Sequence, residues 1–248
     1  MLKRLALMLG LALTAPAAIA ADAYELKVLG FSPDGRYFGF VQYGTEADAG
    51  THAAETFVVD VTRDRFVPGV PLRVTAEMRE ENPDDAEEIK ALLTRAGKRH
   101  AAAFGRYNVS KPGTVLARAA AADTKTIAAK HPSLGPLDLT LDIKDVDWPR
   151  TSKLGPHKDA TPCAREVDWQ KGAAFRLTLV RGGRSLVLND DKTIPPSRFC
   201  ATGYALAEVH AFDRPDGKVS LAVLLAMSRR GFEGDDRTYL AVTRVIER

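Results

Sequence analysis

The segment from Arg229 to Arg237 carries the densest group of residues that could bind a ligand. It reads Arg-Arg-Gly-Phe-Glu-Gly-Asp-Asp-Arg, so three acids and three arginines surround two glycines and one aromatic residue. Carboxylates beside a glycine turn suit Ca²⁺, but their spacing is not that of an EF-hand. An ion-paired connection, a recognition loop and a calcium site all stay open. The candidate binding residues are Arg230, Phe232, Glu233, Asp235, Asp236 and Arg237.

No set of residues in the sequence has the spacing of a catalytic or metal site. The chain has no Gly-x-Ser-x-Gly pentapeptide, which would hold a serine nucleophile on a sharp turn. Its five histidines are scattered, and none pairs at the spacing that zinc sites use. The many carboxylates do not single out a glycosidase pair. The sequence therefore leaves any catalytic residue unidentified, and we predict no cofactor, with Ca²⁺ as the one alternative.

Ser32-Pro33-Asp34-Gly35 is predicted to be a structural turn. Proline presets φ at the second position of a turn, and glycine can adopt the left-handed conformation that ends it. The Ser32 hydroxyl and the Asp34 carboxylate are expected to hold the backbone of this turn. The turn could also contribute to a binding surface, together with the loop around Phe232.

The two cysteines, Cys163 and Cys200, are predicted to form a disulfide. Neither belongs to a Cys-x-x-Cys pair, and an isolated even pair in an exported chain is most simply a disulfide. It would close a loop of about 38 residues, and the chain-entropy relation gives it about 4 kcal/mol of stabilisation. Metal ligation and a reactive thiol are the other readings.

The first 20 residues are predicted to be a cleaved signal peptide. Lys3 and Arg4 precede an apolar run that is about half as long as a membrane-spanning helix. Ala18-Ile19-Ala20 fits the small-x-small rule of signal peptidase, so cleavage after Ala20 is favoured, and cleavage after Ala23 is the alternative. Residues 21–248 would then form one mature domain in the periplasm or outside the cell.

The composition of the mature chain argues against two kinds of partner. Removal of Lys3 and Arg4 leaves 33 basic residues against 32 acidic ones. Nucleic acids and anionic membrane surfaces would need Lys and Arg clustered on one face, and the sequence indicates no such cluster. No later segment is apolar and long enough to span a bilayer.

Hydrophobic periodicity predicts a domain that is mainly antiparallel β (α+β), sandwich-like or barrel-like, with one amphipathic helix. The helix follows Asn82-Pro83-Asp84-Asp85 and carries an apolar stripe at Ala86, Ile89, Leu93 and Ala96. Lys98 to His100 are expected at its negative end. Loops are predicted over 46–54 and 144–162. Ser220 to Leu225 is apolar on both faces and is predicted to be a central, buried strand.

Two resemblances follow from these motifs. The segment from Phe31 to Gly44, followed by Phe57 to Val61, resembles one blade hairpin of a TolB-type β-propeller, which makes a partial propeller-like blade a minority alternative. The opening motif Gly30-Phe-Ser-Pro-Asp-Gly-Arg-Tyr-Phe and the closing segment up to Arg237 resemble bacterial predicted secreted proteins of the domain of unknown function 2259. That resemblance implies export and a common fold, and it implies no activity.

The favoured function is a non-enzymatic exported module that binds a protein or a cell-envelope component through loops at one end of a β scaffold. The alternative is a periplasmic hydrolase whose site is assembled from separate strands. A deep pocket with converging titratable groups would favour the hydrolase.

Overall fold

The structure is a computed structural model that describes residues 23–46, 49–78, 85–147, 171–198, 200–230 and 235–248. These residues form three antiparallel sheets and one α-helix, α1 (Asp85–Phe104). Short 3-10 helices occur at Gly105–Tyr107 and Pro196–Arg198.

The amino-terminal sheet is an antiparallel meander with one extra strand. Its order is β1-β2-β3-β4, and β5 pairs with the other end of β3. The bounds are β1 Glu25–Phe31, β2 Tyr37–Glu46, β3 Thr51–Asp60, β4 Arg65–Phe66 and β5 Leu72–Glu77. The β1–β4 order is that of a propeller blade, but here it is one of three sheets stacked in layers.

The central sheet and the distal sheet are each four-stranded. The central sheet has the order β13-β12-β11-β6, with bounds β6 Thr114–Arg118, β11 Ala201–Asp213, β12 Val219–Arg230 and β13 Asp235–Ile246. The distal sheet has the order β10-β9-β8-β7, with bounds β7 Thr126–His131, β8 Gly135–Asp147, β9 Lys171–Arg181 and β10 Arg184–Asp190.

The central sheet is covered on both faces, and this explains why β12 is apolar throughout. Alternate side chains on a strand point to opposite faces. Leu221 and Val223 pack against the distal sheet, whereas Ala222 and Leu224 pack against the phenylalanines of the amino-terminal sheet. The predicted central, buried strand is confirmed, and the β-rich sandwich is the architecture observed. Within the described ranges no sheet closes into a barrel.

Helix α1 covers the outer face of the amino-terminal sheet. Leu92 and Ala96 are its most buried residues, and they pack on Val41, Ala54 and Val74. The predicted stripe is therefore correct at Ala96 and partly correct at Leu93, which packs at the edge of this cluster, but the helix places Leu92 at the centre of the contact. Ala86, which was expected in the stripe, is exposed.

Two predicted loop boundaries and the predicted place of the basic residues at the end of the helix differ from what is observed. Strand β3 begins at Thr51, inside the predicted loop, because pairing with β2 and β5 extends it. Strand β8 continues to Asp147, into the second predicted loop, because β9 pairs along its whole length. Helix α1 continues to Phe104, so Lys98 to His100 precede its last turn and that turn has no basic residue.

None of the helical residues in the described ranges forms a segment with the length and hydropathy needed to cross a membrane.

Candidate functional site

A cleft of about 510 Å³ opens between the amino-terminal sheet and the edge of the central sheet. Both the amino-terminal sheet and the β12–β13 pair contribute apolar and polar residues to its lining. Residues from at least five separate segments line it. They include Gln42, Glu55, Phe57, Asp64, Arg65, Phe66, Val70, Arg198, Arg229, Thr238, Tyr239 and Ala241.

The floor of the cleft is the outer edge of β13, and two side chains from the amino-terminal sheet cap it. The Tyr239 N–H donates to Gln42 Oε1 at 2.6 Å, and the Thr243 N–H donates to Asp64 Oδ1 at 2.7 Å. Both N–H groups therefore point away from β12. Because strand geometry repeats every two residues, the N–H of Ala241 points to the same side, into the cleft.

Thr238 is one of the residues that line the cleft, and its buried hydroxyl has no hydrogen-bond partner among the described residues. The residue as a whole is 2% exposed. A buried polar atom without a partner costs about 1–3 kcal/mol. Such an atom on the wall of a cleft is the kind of group that a ligand can satisfy.

A hydrogen-bond network fixes the polar side chains behind the cleft. Gln42 Nε2 donates to Glu55 Oε2 at 2.7 Å, and Arg73 Nη1 donates to Glu55 Oε1 at 2.8 Å. Arg73 also pairs with Glu46 at 2.5 Å, and Glu46 accepts the hydroxyl of Tyr24. Both oxygens of Glu55 are thereby occupied, so this carboxylate orients Gln42 and is poorly placed to act as a base.

Asp64 combines an uncommon backbone conformation with a perturbed carboxyl. Its φ is 50°, in the left-handed region that Asp tolerates better than most residues. The residue as a whole is exposed in its turn, but Oδ1 also accepts the hydroxyl of the buried Thr243 at 2.8 Å. Burial of the carboxyl raises the pKa of Asp64, and the hydrogen bonds from Thr243 offset only part of this effect.

Arg198 enters the cleft from the short 3-10 helix before β11. Its guanidinium carbon lies 4.4 Å from the centroid of Phe175, and its Nη1 is ion-paired with Asp191. Stacking and pairing together hold the planar guanidinium in one orientation. It is a positioned cation at the rim of the cleft.

The predicted binding segment begins and ends in the described strands β12 and β13, and Arg229 of this segment lines the cleft. The strand register pairs the backbone of Arg230 with that of Asp235 and the backbone of Arg229 with that of Asp236. Arg237 accepts a backbone hydrogen bond at its carbonyl from Tyr24 N at 3.0 Å. Phe232 and Glu233 lie outside the described residues, so their predicted role stays a prediction.

The Ser32–Gly35 turn packs against the central sheet and away from the cleft lining. Ser32 Oγ donates to Asp34 at 2.5 Å and accepts the Tyr37 N–H at 2.9 Å. The carbonyl of Gly35 accepts the hydroxyl of Ser220 at 2.6 Å. Gly35 has a φ of 68°, and a Cβ there would lie 2.7 Å from Arg214 Cγ. Pro33, like Asp34, is exposed, so the outer side of the turn stays accessible.

The other predictions concern residues that are only partly described. Cys200 precedes β11 with a φ of 56°, but Cys163 lies outside the described residues, so the disulfide stays a prediction. The signal peptide also lies outside them. Within the described ranges, no three His, Cys, Asp or Glu side chains converge as a metal site would require.

Sequence reasoning did not identify Gln42, Asp64, Thr238 or Ala241. Gln42 and Thr238 look like ordinary strand residues, and Asp64 looks like an ordinary turn residue. One signal was present: a buried-strand pattern in β2 that is interrupted by a single polar residue, Gln42.

Comparison with known proteins gives a family and no activity. No curated protein matches the chain. The model of the family described as predicted secreted protein (DUF2259) matches residues 39–244, from within β2 to nearly the end of β13. The chain therefore belongs to this family of predicted secreted proteins, the domain of unknown function 2259 family.

Proposed function

We propose that this protein is an exported, non-enzymatic binding module that holds an extended peptide segment of a periplasmic or envelope protein in the cleft beside β13. The observation that carries the proposal is the edge of β13. There the N–H of Ala241 points outward between two N–H groups that Gln42 and Asp64 already cap, and Thr238, which precedes them on the same strand, has a hydroxyl without a partner among the described residues.

The cleft suits a peptide better than a small polar metabolite. An extended peptide can bond to a strand edge through its backbone while its side chains enter neighbouring pockets. The rings of Phe57 and Phe66 are tilted against each other with centroids 5.4 Å apart, and Phe66 is 40% exposed, so it offers an apolar contact surface. Arg198, although it is paired with Asp191, keeps further N–H donors for a carboxylate or a carbonyl of the peptide.

The position of Tyr24 favours signal-peptide cleavage after Ala20 over cleavage after Ala23. Tyr24 is buried, and its N–H donates to the Arg237 carbonyl. Cleavage after Ala23 would turn this amide into a charged amino terminus beside a buried ring, and burying charge is costly. Cleavage after Ala20 leaves the amide intact, and the predicted Cys163–Cys200 disulfide suits the oxidising compartment that follows.

Site-specific photo-crosslinking in the periplasm tests the proposal. A photoreactive phenylalanine analogue replaces Phe66 in the cleft, and the matched control replaces Val187, which is 37% exposed on the distal sheet. We expect a discrete protein adduct from position 66 only, reduced by Thr238→Val in the same chain. The same adduct from both positions, or none from position 66, would contradict the proposal.

The hydrolase alternative is supported by Asp64. A carboxyl with a raised pKa at a cleft is suited to act as a general acid. A panel of peptide, ester and glycoside substrates tests it. Turnover that Asp64→Asn abolishes would favour the hydrolase. If the folded protein turns over none of these substrates, the binding module stays the favoured function.

A further inference from the structure

A second concave surface, distinct from the cleft, lies between the edge strand β5 and helix α1. This basic groove has a volume of about 630 Å³ and is lined by Arg73, Val74, Thr75, Arg95, Lys98 and Arg99. Four of its six residues are cationic and none is acidic. Lys98 and Arg99 are adjacent in the sequence, but their proximity to Arg73 could not be predicted, because only the fold brings β5 beside the helix.

Three of these cations have no counter-charge in the part of the chain that the structure describes. Arg73 is neutralised by Glu46 and Glu55, but within the described residues no carboxylate pairs with Arg95, Lys98 or Arg99. Arg95 reaches only the carbonyl of Thr75, at 3.5 Å. All three side chains belong to exposed residues.

The helix dipole does not account for this arrangement. Positive side chains stabilise a helix in its last turn, and the effect fades beyond that turn. The last turn of α1 has no basic residue, and Lys98 and Arg99 precede it. Arg95 stands three and four residues before Lys98 and Arg99, a spacing at which like charges destabilise a helix. The mature chain is nearly neutral, so the groove concentrates charge that the sequence as a whole lacks.

We infer that the basic groove binds a phosphate monoester, such as a phosphorylated sugar or a phosphorylated head group. A phosphate monoester carries a charge of about −1.5 to −2 at neutral pH, which matches two or three free cations better than a carboxylate does. The planar forks of Arg95 and Arg99 can each bond two phosphate oxygens. The volume falls within the range of roughly 300–1,000 Å³ typical of small-molecule sites. This inference is independent of the peptide cleft.

Titration calorimetry on the mature protein tests the inference with two probes. Glucose 1-phosphate represents a soluble monoester, with glucose as its control. Phosphatidylcholine vesicles containing phosphatidic acid represent a lipid-borne monoester, with pure phosphatidylcholine as their control. We expect binding to at least one phosphate probe, weakened at higher ionic strength because exposed charges are screened.

Charge-neutralising variants locate the binding. Lys98→Gln with Arg99→Gln should raise the dissociation constant about tenfold or more, since hydrogen bonds to charged groups are lost. The matched control is Lys130→Gln with Arg184→Gln, which removes the same two residue types from exposed positions on the distal sheet. Thr238→Val should leave phosphate binding unchanged.

Each outcome decides the matter. Glucose 1-phosphate binding that the groove variant loses supports a soluble ligand, and vesicle binding alone supports a lipid head group. Absence of binding to both probes overturns the inference. Equal losses in the groove variant and the control, with both proteins folded by circular dichroism, also overturn it.

Discussion

Replacement of Asp64 tests whether its side chain ties the amino-terminal sheet to the central sheet. Asp64→Ala removes the acceptor of the Thr243 N–H and hydroxyl, and the loss of an acceptor for a buried donor costs about 1–3 kcal/mol. Alanine at a φ of 50° adds about 1 kcal/mol. Because water can enter beside this exposed turn, we expect the free energy of unfolding to fall by about 2 kcal/mol.

Asp64→Asn is the matched control. Asparagine tolerates the left-handed conformation, and its amide oxygen can accept both hydrogen bonds, so we expect a change within about 1 kcal/mol. Urea unfolding followed by circular dichroism measures both variants. Equal losses for Ala and Asn, or no loss for Ala, would refute the proposed role of the oxygen.

The pH dependence of the same pair gives a second readout. The pKa of Asp64 is raised, so the folded state keeps its proton at a pH where the unfolded chain has released it. The unfolding free energy of the wild type, relative to Asp64→Asn, should therefore fall as pH rises from about 4. Asp34 is the opposite case. Partial burial acts to raise its pKa, but hydrogen bonds from Ser32 and Arg36 hold the pKa below its ordinary value. The unfolding free energy of the wild type, relative to Asp34→Asn, should therefore increase as pH rises through the acidic range. Slopes of the same sign would contradict this account.

Three further predictions concern the core and the processing of the chain. Leu92→Ala should lower the unfolding free energy by about 3 kcal/mol, because the Leu92 side chain is fully buried between α1 and the amino-terminal sheet. The control Thr94→Ala changes an exposed residue of the same helix and should alter the unfolding free energy by less than about 0.5 kcal/mol. Equal effects in urea unfolding would mean that α1 does not pack as described. Reduction of the Cys163–Cys200 disulfide should cost about 4 kcal/mol; a thiol assay that finds two free cysteines in the exported protein would disprove the pairing. The intact mass of the exported protein should correspond to a chain beginning at Ala21, and a mass beginning at Tyr24 would contradict the argument from the buried amide.

The sequence predicts those strands and helices whose hydrophobic residues recur at a regular spacing along the chain. Leu137, Leu139 and Leu141 alternate with polar residues and are all buried in β8. The two-faced apolar run in β12 predicts a strand covered on both sides, and the structure confirms it. These patterns reflect burial along one strand, which neighbouring residues encode directly.

The cleft and the basic groove could not be predicted in this way, because their contacts are distant in sequence. Gln42 and Tyr239 are separated by 197 positions, and Asp64 and Thr243 by 179. A polar residue in a strand gives no indication of the partner that it will meet in another sheet. Arg229, the first residue of the predicted hairpin segment, nevertheless lines the cleft. Glycines and charged residues do mark where a strand pair ends.

The most direct test of the account is the amide of Ala241. The segment of the partner protein that crosslinks to position 66 would be synthesised as a peptide and added to ¹⁵N-labelled mature protein. The account predicts that the Ala241 amide shows one of the largest chemical-shift changes and that its hydrogen exchange slows, while amides of the distal sheet stay unchanged. A peptide that binds without affecting Ala241 would contradict the claim that the edge of β13 is the binding surface.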